Sequence, residues 1–214
     1  KVDRTKRYPL QEGLTLIKSL QGPKFDEAVD LVVRIGIDPK KTDQLVRGSV
    51  SMPKGTGKSI RIAVFAEGDK AKAALEAGAD FVGSADLADK IEKGFTDFDM
   101  TIASPDMMRY VGKLGKVLGP QGKMPSPKAG TVTPNVADAV REFKAGKIEF
   151  RTDAGANVHA AVGKRSFSAD DLAANITAFV DHLRTLRPAQ AKGAFIRKVV
   201  VSTSMGPGVQ LAVE

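Results

Sequence analysis

Between Gly57 and Lys147 this chain alternates strand with helix, and on either side of that stretch it follows a different rule. Ile60 to Phe65 is a β-branched apolar run, and Asp69 to Ala77 is an alanine-rich helical stretch ending at Gly78. Asp80 to Val82 reads as a brief strand, Asp86 to Lys93 as a helix stopped by Gly94, and Asp99 to Ala103 as a third strand. Ser104 is placed to cap the next helix, with Pro105 at its first position. Strands separated by helices form βαβ units with right-handed crossovers, so a small parallel sheet is expected here.

In the flanks the period changes to two. Phe25, Val29, Leu31, Val33 and Ile35 share one parity, the mark of a long strand with one buried face. Phe195 to Thr203 is a second strand-like run, and Val209 to Val213 can return beside it after Gly206-Pro207-Gly208. Ser168 to Leu186 reads as an amphipathic helix, with Leu172, Ile176, Phe179, Val180 and Leu183 in one stripe. Ser168 and Asp171 resemble a capping box with Asp in place of the usual Glu. The fold class is therefore mixed: an α+β part with antiparallel strands, interrupted by an α/β part. Pro53-Lys54-Gly55-Thr56-Gly57 and Ala145-Gly146-Lys147 mark the crossings, with Gly55, Gly57 and Gly146 where a hinge needs backbone freedom.

Composition narrows the function. With 214 residues, 42% apolar and 27% charged, the chain can bury a sizeable core. No stretch approaches the ~18 apolar residues of a membrane span. Cysteine is absent, which excludes disulfides, thiol catalysis and cysteine metal sites. The chain opens at Lys1 without methionine, so a preceding segment is expected. Net charge is +8, and its placement is uneven: the stretch from Gly57 to Lys147 holds 14 bases and 12 acids, the flanks 19 and 13. Such an excess favours nucleic acid or an anionic membrane as partner.

Several motifs invite a catalytic reading and fail it. Gly55-Thr56-Gly57-Lys58-Ser59 ends like a phosphate-binding loop, but Met52 stands where the first glycine belongs and a strand follows instead of a helix. Gly112, Gly115, Gly119 and Gly122 do not follow the first strand, where a dinucleotide site needs them; Ala66-Glu67-Gly68-Asp69 stands there. His159 and His182 lack metal-binding spacing, and His182 is expected to face solvent from its helix. Asp26-Glu27 and Asp170-Asp171 read as turn or cap residues. No catalytic set, metal site or cofactor site emerges, so the chain is read as a non-enzyme. The segment Gly119 to Val132, with three glycines, three prolines, Lys123, Lys128 and no acid, reads as a shaped cationic loop for a polyanion.

That loop is also similar to one in the bacterial large-subunit ribosomal protein L-one family, the mobile-stalk proteins. Lys24 to Lys58, Ala77 to Gly83, Phe143 to Arg151, Ala161 to Phe167 and Ser202 to Gly208 resemble the family in the same order. The resemblance implies one domain built from both chain ends (1–56 and 148–214) and one inserted Rossmann-like three-layer domain (57–147), joined by a two-strand hinge. It implies that the split domain binds the stalk region of large-subunit ribosomal RNA, as a cytoplasmic, ribosome-associated monomer. Exit-site tRNA is a second implied partner, met by the inserted domain through Lys123 and Lys128; the chain's own messenger RNA, bound as a repressor, is a third.

The implied RNA surface consists of Lys24, Phe25, Ser204, Met205 and Gly206 at its centre, with Asp30, His159, Lys164, Ser166 and Pro207 around it. Ser204 stands for the threonine usual in the family, keeping the hydroxyl. On residue type alone, Phe25 also fits a core aromatic, His159 a packed residue, and Met205 to Gly208 an ordinary turn. Two rivals stay open: a Rossmann-like nucleotide-using enzyme, and a basic module that binds any polyanion.

Overall fold

The computed structural model describes residues 2–3, 5–191 and 193–212. In chain order its elements begin with α1 (Leu10–Ser19), β1 (Ala28–Ile35), β2 (Arg47–Ser51), β3 (Ile62–Phe65), α2 (Asp69–Glu76), β4 (Phe81–Gly83) and α3 (Ala85–Glu92). Next come β5 (Met100–Ala103), α4 (Met108–Val111), α5 (Gly115–Leu118), α6 (Val136–Ala145), β6 (Lys147–Arg151) and β7 (Asn157–Lys164). The chain closes with α7 (Ala169–Thr185), β8 (Ile196–Thr203) and β9 (Val209–Leu211). It divides into two compact units, Lys1–Lys58 with Ile148–Glu214, and Ser59–Lys147.

In the first unit, both chain ends contribute to one antiparallel sheet of order β7-β1-β8-β9. The period-two pattern read in the flank is what builds it. Val29, Leu31, Val33 and Ile35 point to one side and are fully buried with Val158, Val162, Val199 and Val201. The α1 residues Leu14 and Ile17 and the predicted stripe of α7 close that core. Ser168 caps α7 by accepting from the Asp171 amide, and its hydroxyl bonds the Asp171 carboxylate at 2.7 Å, so the Asp-based capping box is formed. His182 is half-buried, not solvent-facing, because its ring packs edge-on to Phe150. The expected return strand is shorter than read, ending at Leu211; Val213 lies outside the described residues.

The second unit has a parallel sheet of order β4-β3-β5. Its central strand β3 is buried on both faces, which explains its unbroken apolar run. Ala63 and Phe65 pack with Leu87 and Ile91 of α3 and with Val111, Leu114 and Leu118; Ile62 and Val64 pack with Ala74 of α2 and Val140 and Phe143 of α6. Helices therefore cover both faces, giving three layers. The cap expected at Ser104 is not made. A 3₁₀ turn, Pro105–Met107, starts there with no side-chain hydrogen bond from the serine, which is itself buried.

The first crossing is pinned by a residue that periodicity alone would assign to the core. Asn175 is fully buried on α7; it accepts from the Lys54 amide at 3.0 Å and donates to the carbonyls of Gly55 and Val162 at 2.9 and 2.7 Å. An ion pair of Lys54 with Asp171 at 3.3 Å holds the same segment. Replacing Asn175 by Ala would leave the Val162 carbonyl unpaired in the core and release the partly buried Lys54 amide and Gly55 carbonyl. Asn175→Ala is expected to lower unfolding free energy by at least ~2 kcal/mol in urea titration; a change below ~0.5 kcal/mol would contradict this placement.

Candidate nucleic-acid interface

One face of the four-stranded sheet is packed under helices, and the other is open to solvent. Along the open face β1 presents Ala28, Asp30, Val32 and Arg34, flanked by Lys164, Ala161 and His159 of β7 and by Ser202, Val200 and Lys198 of β8. The implied RNA residues gather at one end of that face, where β1 begins and β8 turns into β9. His159 is the outlier: it pairs with Val32, two residues beyond Asp30, and its ring lies 3.2 Å from the Asp153 carboxylate in the β6–β7 turn. Asp153 has a pKa lowered to about 2, chiefly by the Asn157 amide, against the effect of burial and with help from Asn157 and His159 side chains. Asp30 is half-buried, and that desolvation raises its pKa, opposed by nearby His159 and Lys164.

The end of the sheet is organised by a residue that the sequence reading assigned to a turn. Glu27 shares the parity of Val29 and Leu31 and continues their buried face, with 1% of its surface exposed. A lone carboxylate there would be strongly unfavourable. It is met by Arg165 Nη1 at 2.9 Å and by the Met205 amide at 2.8 Å. Burial alone would raise the Glu27 pKa; the Met205 amide, the Thr203 hydroxyl and Arg165 outweigh it and hold the carboxyl below its ordinary value. Arg165 in turn donates to the carbonyls of Lys18, at 3.1 Å, and Leu20, and its own amide donates to Glu27 O at 2.8 Å. One ion pair thus ties together the segment after α1, the start of β1, the β7–α7 loop and the β8–β9 turn. Gly22 makes room for it, since a Cβ there would overlap the Arg165 guanidinium.

Phe25 is consequently not part of the strand. The strand begins at Ala28, the buried position ahead of it belongs to Glu27, and Phe25 stands 57% exposed. Met205 is 74% exposed although its amide is anchored to Glu27. Lys24 and Pro207 are exposed, and Lys164 is half-exposed. Ser166 does not present a free hydroxyl: its Oγ donates to Asp26 at 2.8 Å, fixing the loop that carries Phe25. Ser204 accepts from the Ala28 amide through its Oγ at 3.2 Å, closing β8 onto β1. Gly206 admits no side chain, because a Cβ would come within 2.3 Å of Thr203 Oγ1.

In the Ser59–Lys147 unit the cationic loop is ordered by its own contacts. Lys123 turns inward: its ammonium donates to Thr96 O at 3.0 Å and lies over the Phe98 ring, while its carbonyl accepts from Thr101. Lys128 sits exposed on the 3₁₀ turn Pro127–Ala129. Gly55-Thr56-Gly57-Lys58 leads into β3 and not a helix, so it lacks the helix N-terminus that a phosphate loop requires. Gly55, Gly57 and Gly146 all have positive φ, at 66°, 68° and 113°. Among the described residues no cluster of metal ligands is present and no helix is long and apolar enough to cross a membrane.

Residues 16–207 match the model of the Ribosomal protein L1p/L10e family. A Bordetella pertussis protein named Large ribosomal subunit protein uL1 is 56% identical over 213 residues, covering 100% of this chain and 92% of its own length. Proteins of the same name from Ralstonia pickettii and Laribacter hongkongensis are 55% and 53% identical, covering 99% and 98% of this chain and 91% and 90% of their own.

The ion pair makes a pH-dependent prediction. A carboxyl with its folded pKa depressed contributes stability above its unfolded value, here the ordinary 4.5, and that contribution is lost as pH falls through the folded pKa. Glu27→Gln, which keeps an acceptor but loses the charge, should melt below the parent at pH 7 and show a shallower fall in melting temperature below pH 4.5. Equal melting at pH 7 would show that the pair adds nothing.

Proposed function

This chain belongs to the ribosomal protein L1p/L10e family, and on that premise we propose that it is a structural, non-enzymatic constituent of the large ribosomal subunit that binds the stalk region of large-subunit ribosomal RNA. It works in the cytoplasm, on the ribosome. The observation that carries this reading is the pair Phe25 and Met205, two large apolar side chains held out in solvent at one end of an open sheet face beside Lys24 and Lys164. Apolar side chains exposed together at a polar rim mark an interaction surface more often than a lone one does.

The mechanism follows from what each group can do. An exposed ring stacks on an unpaired base or a ribose, and a thioether covers a neighbouring base face. Gly206 contributes by letting the turn fold tightly over Thr203, which holds the backbone that carries Met205. The Ser204 hydroxyl accepts from the Ala28 amide and directs its proton to the Ala28 carbonyl at a long 3.5 Å, a bond weak enough to exchange for a 2′-OH or phosphate oxygen. Lys24 and Lys164 neutralise phosphate, which contributes affinity without sequence information. Ser166 and Arg165 act by positioning Phe25 and Met205. Asp30 and His159 extend the surface along β1 and β7.

The Ser59–Lys147 unit takes a second role in this reading. Gly55, Gly57 and Gly146 let it swing as a body, and its exposed cations, Lys128 among them, meet exit-site tRNA. A messenger segment that imitates the ribosomal site would occupy the Phe25–Met205 surface and so repress its own translation.

The test is a titration of labelled stalk RNA beside an unrelated RNA of equal length, with the parent, Phe25→Ala and Met205→Ala. The parent is expected to prefer the stalk fragment by at least ~10³. Each variant, truncated at an exposed side chain, should keep its melting temperature and lose ~10-fold or more in stalk affinity, the order of one base stack. Equal binding of both RNAs by the parent would support a generic polyanion module instead. Unchanged affinity in both variants would remove the pair from the site.

A further inference from the structure

The open face does not end at Phe25 and Met205. Six residues along β1 from Ala28, about 20 Å at the rise of an extended strand, the face carries a second group of cations. Arg34 of β1 stands directly opposite Lys198 of β8, and both are exposed. Like charges in register across two strands repel and weaken the sheet. Arg197 follows in the same strand, its Nε against Gly36, where a Cβ would come within 3.0 Å. Arg7 is set beside them by the backbone bonds of Tyr8 to Gln210 and Ala212, at 2.9 and 2.8 Å. Arg7, Arg197, Lys198 and Gln210 line a groove of about 190 Å³.

The bases Arg7, Arg34, Arg197 and Lys198 have no internal purpose that the fold reveals. None forms a hydrogen bond or ion pair through its side chain among the described residues. The carboxylate on the hairpin next to Arg34, that of Asp153, is already engaged by Asn157, Gly155 and His159. Three cations line the groove and Arg34 stands in register with one of them, all without a side-chain partner among the described residues, so an anion there would lower the energy of the sheet itself.

We propose that this groove is a phosphate-binding site for the backbone of the same RNA, engaged where the strand or duplex continues past the Phe25–Met205 end. It rests on the RNA-binding reading above and adds to it a second anchor that carries affinity and no sequence preference. Two anchors about 20 Å apart on one rigid sheet also fix the direction in which the RNA crosses the face. Phosphates recur about every 3.4 Å of axis along each strand of a duplex, so a helix that reaches one end presents phosphate at the other.

The experiment compares the whole chain with Arg34→Gln/Arg197→Gln/Lys198→Gln, titrating the labelled stalk fragment at several salt concentrations beside the unrelated RNA. Loss of three phosphate contacts should flatten the slope of log affinity against log salt by about two to three units. Affinity for both RNAs should fall by a similar factor, and the melting temperature should match or exceed the parent's, because the Arg34–Lys198 repulsion is gone. A parent that prefers the stalk RNA with an unchanged slope in the variant overturns the groove alone. A parent with no preference overturns the stalk-binding reading, and the groove as an anchor for it falls too.

Discussion

Glu27 is buried at the head of a strand whose every other inward position is apolar, and the placement of the surrounding loops follows from the need to satisfy it. A carboxylate at that depth requires a cation and several donors. Arg165 supplies the cation, Met205 a backbone amide and Thr203 a hydroxyl, and each comes from a different part of the chain. The residues that meet there span Lys18 to Met205, so the interaction ties the end of α1 to the loops of the split unit. Removing one partner would leave the other exposed to the full cost of desolvation. The pair is thus more a device of position than a source of net stability.

What the pair positions is a surface unlike the rest of the molecule. Large apolar side chains elsewhere are mostly covered, whereas Phe25 and Met205 are held outward on backbone that is itself tightly bonded. Ser166 and Asp26 fix one loop, and Ser204, Thr203 and Gly206 fix the other. A preorganised surface loses little conformational freedom when it meets RNA, which raises affinity without further contacts. The helices α1 and α7 take the opposite face and leave this one free, so the sheet supplies both a core and a platform. The Ser59–Lys147 unit is built on another principle, a parallel sheet buried on both faces, and its cations lie on loops and short helices.

Much of this is legible in the sequence. Alternating valines and leucines in β1, the stripe of α7 and the capping box at Ser168 are local patterns with one dominant physical cause, and each formed where periodicity places it. The parallel sheet followed from apolar runs separated by helices. What escaped were residues whose role depends on distant partners. Glu27 looks like half of a turn pair until its parity with Val29 is noticed; that phase is the signal, since a charge in register with a buried face must be paired. Asn175 interrupts an apolar stripe for the same reason. The parity of Phe25 places it in the strand, although the two residues after it are acids and only one can be inside. Lys123 reads as a free cation in sequence, yet a nearby carbonyl and the face of Phe98 take it. The Arg34–Lys198 register could not be read at all, because strand pairing across 164 residues leaves no local trace.

The central claim is that the surface proposed for RNA is already formed in the free chain, held by Glu27. Hydrogen exchange at the Met205 amide, followed by NMR without RNA, tests it most directly. Met205 has an exposed side chain, so its amide should exchange fast unless the bond to Glu27 persists in solution. Protection comparable to the strand amides of β8, lost in Glu27→Gln, is the predicted result. Exchange at the rate of an unstructured turn would contradict it, and would mean that the β8–β9 turn takes its shape only when RNA arrives.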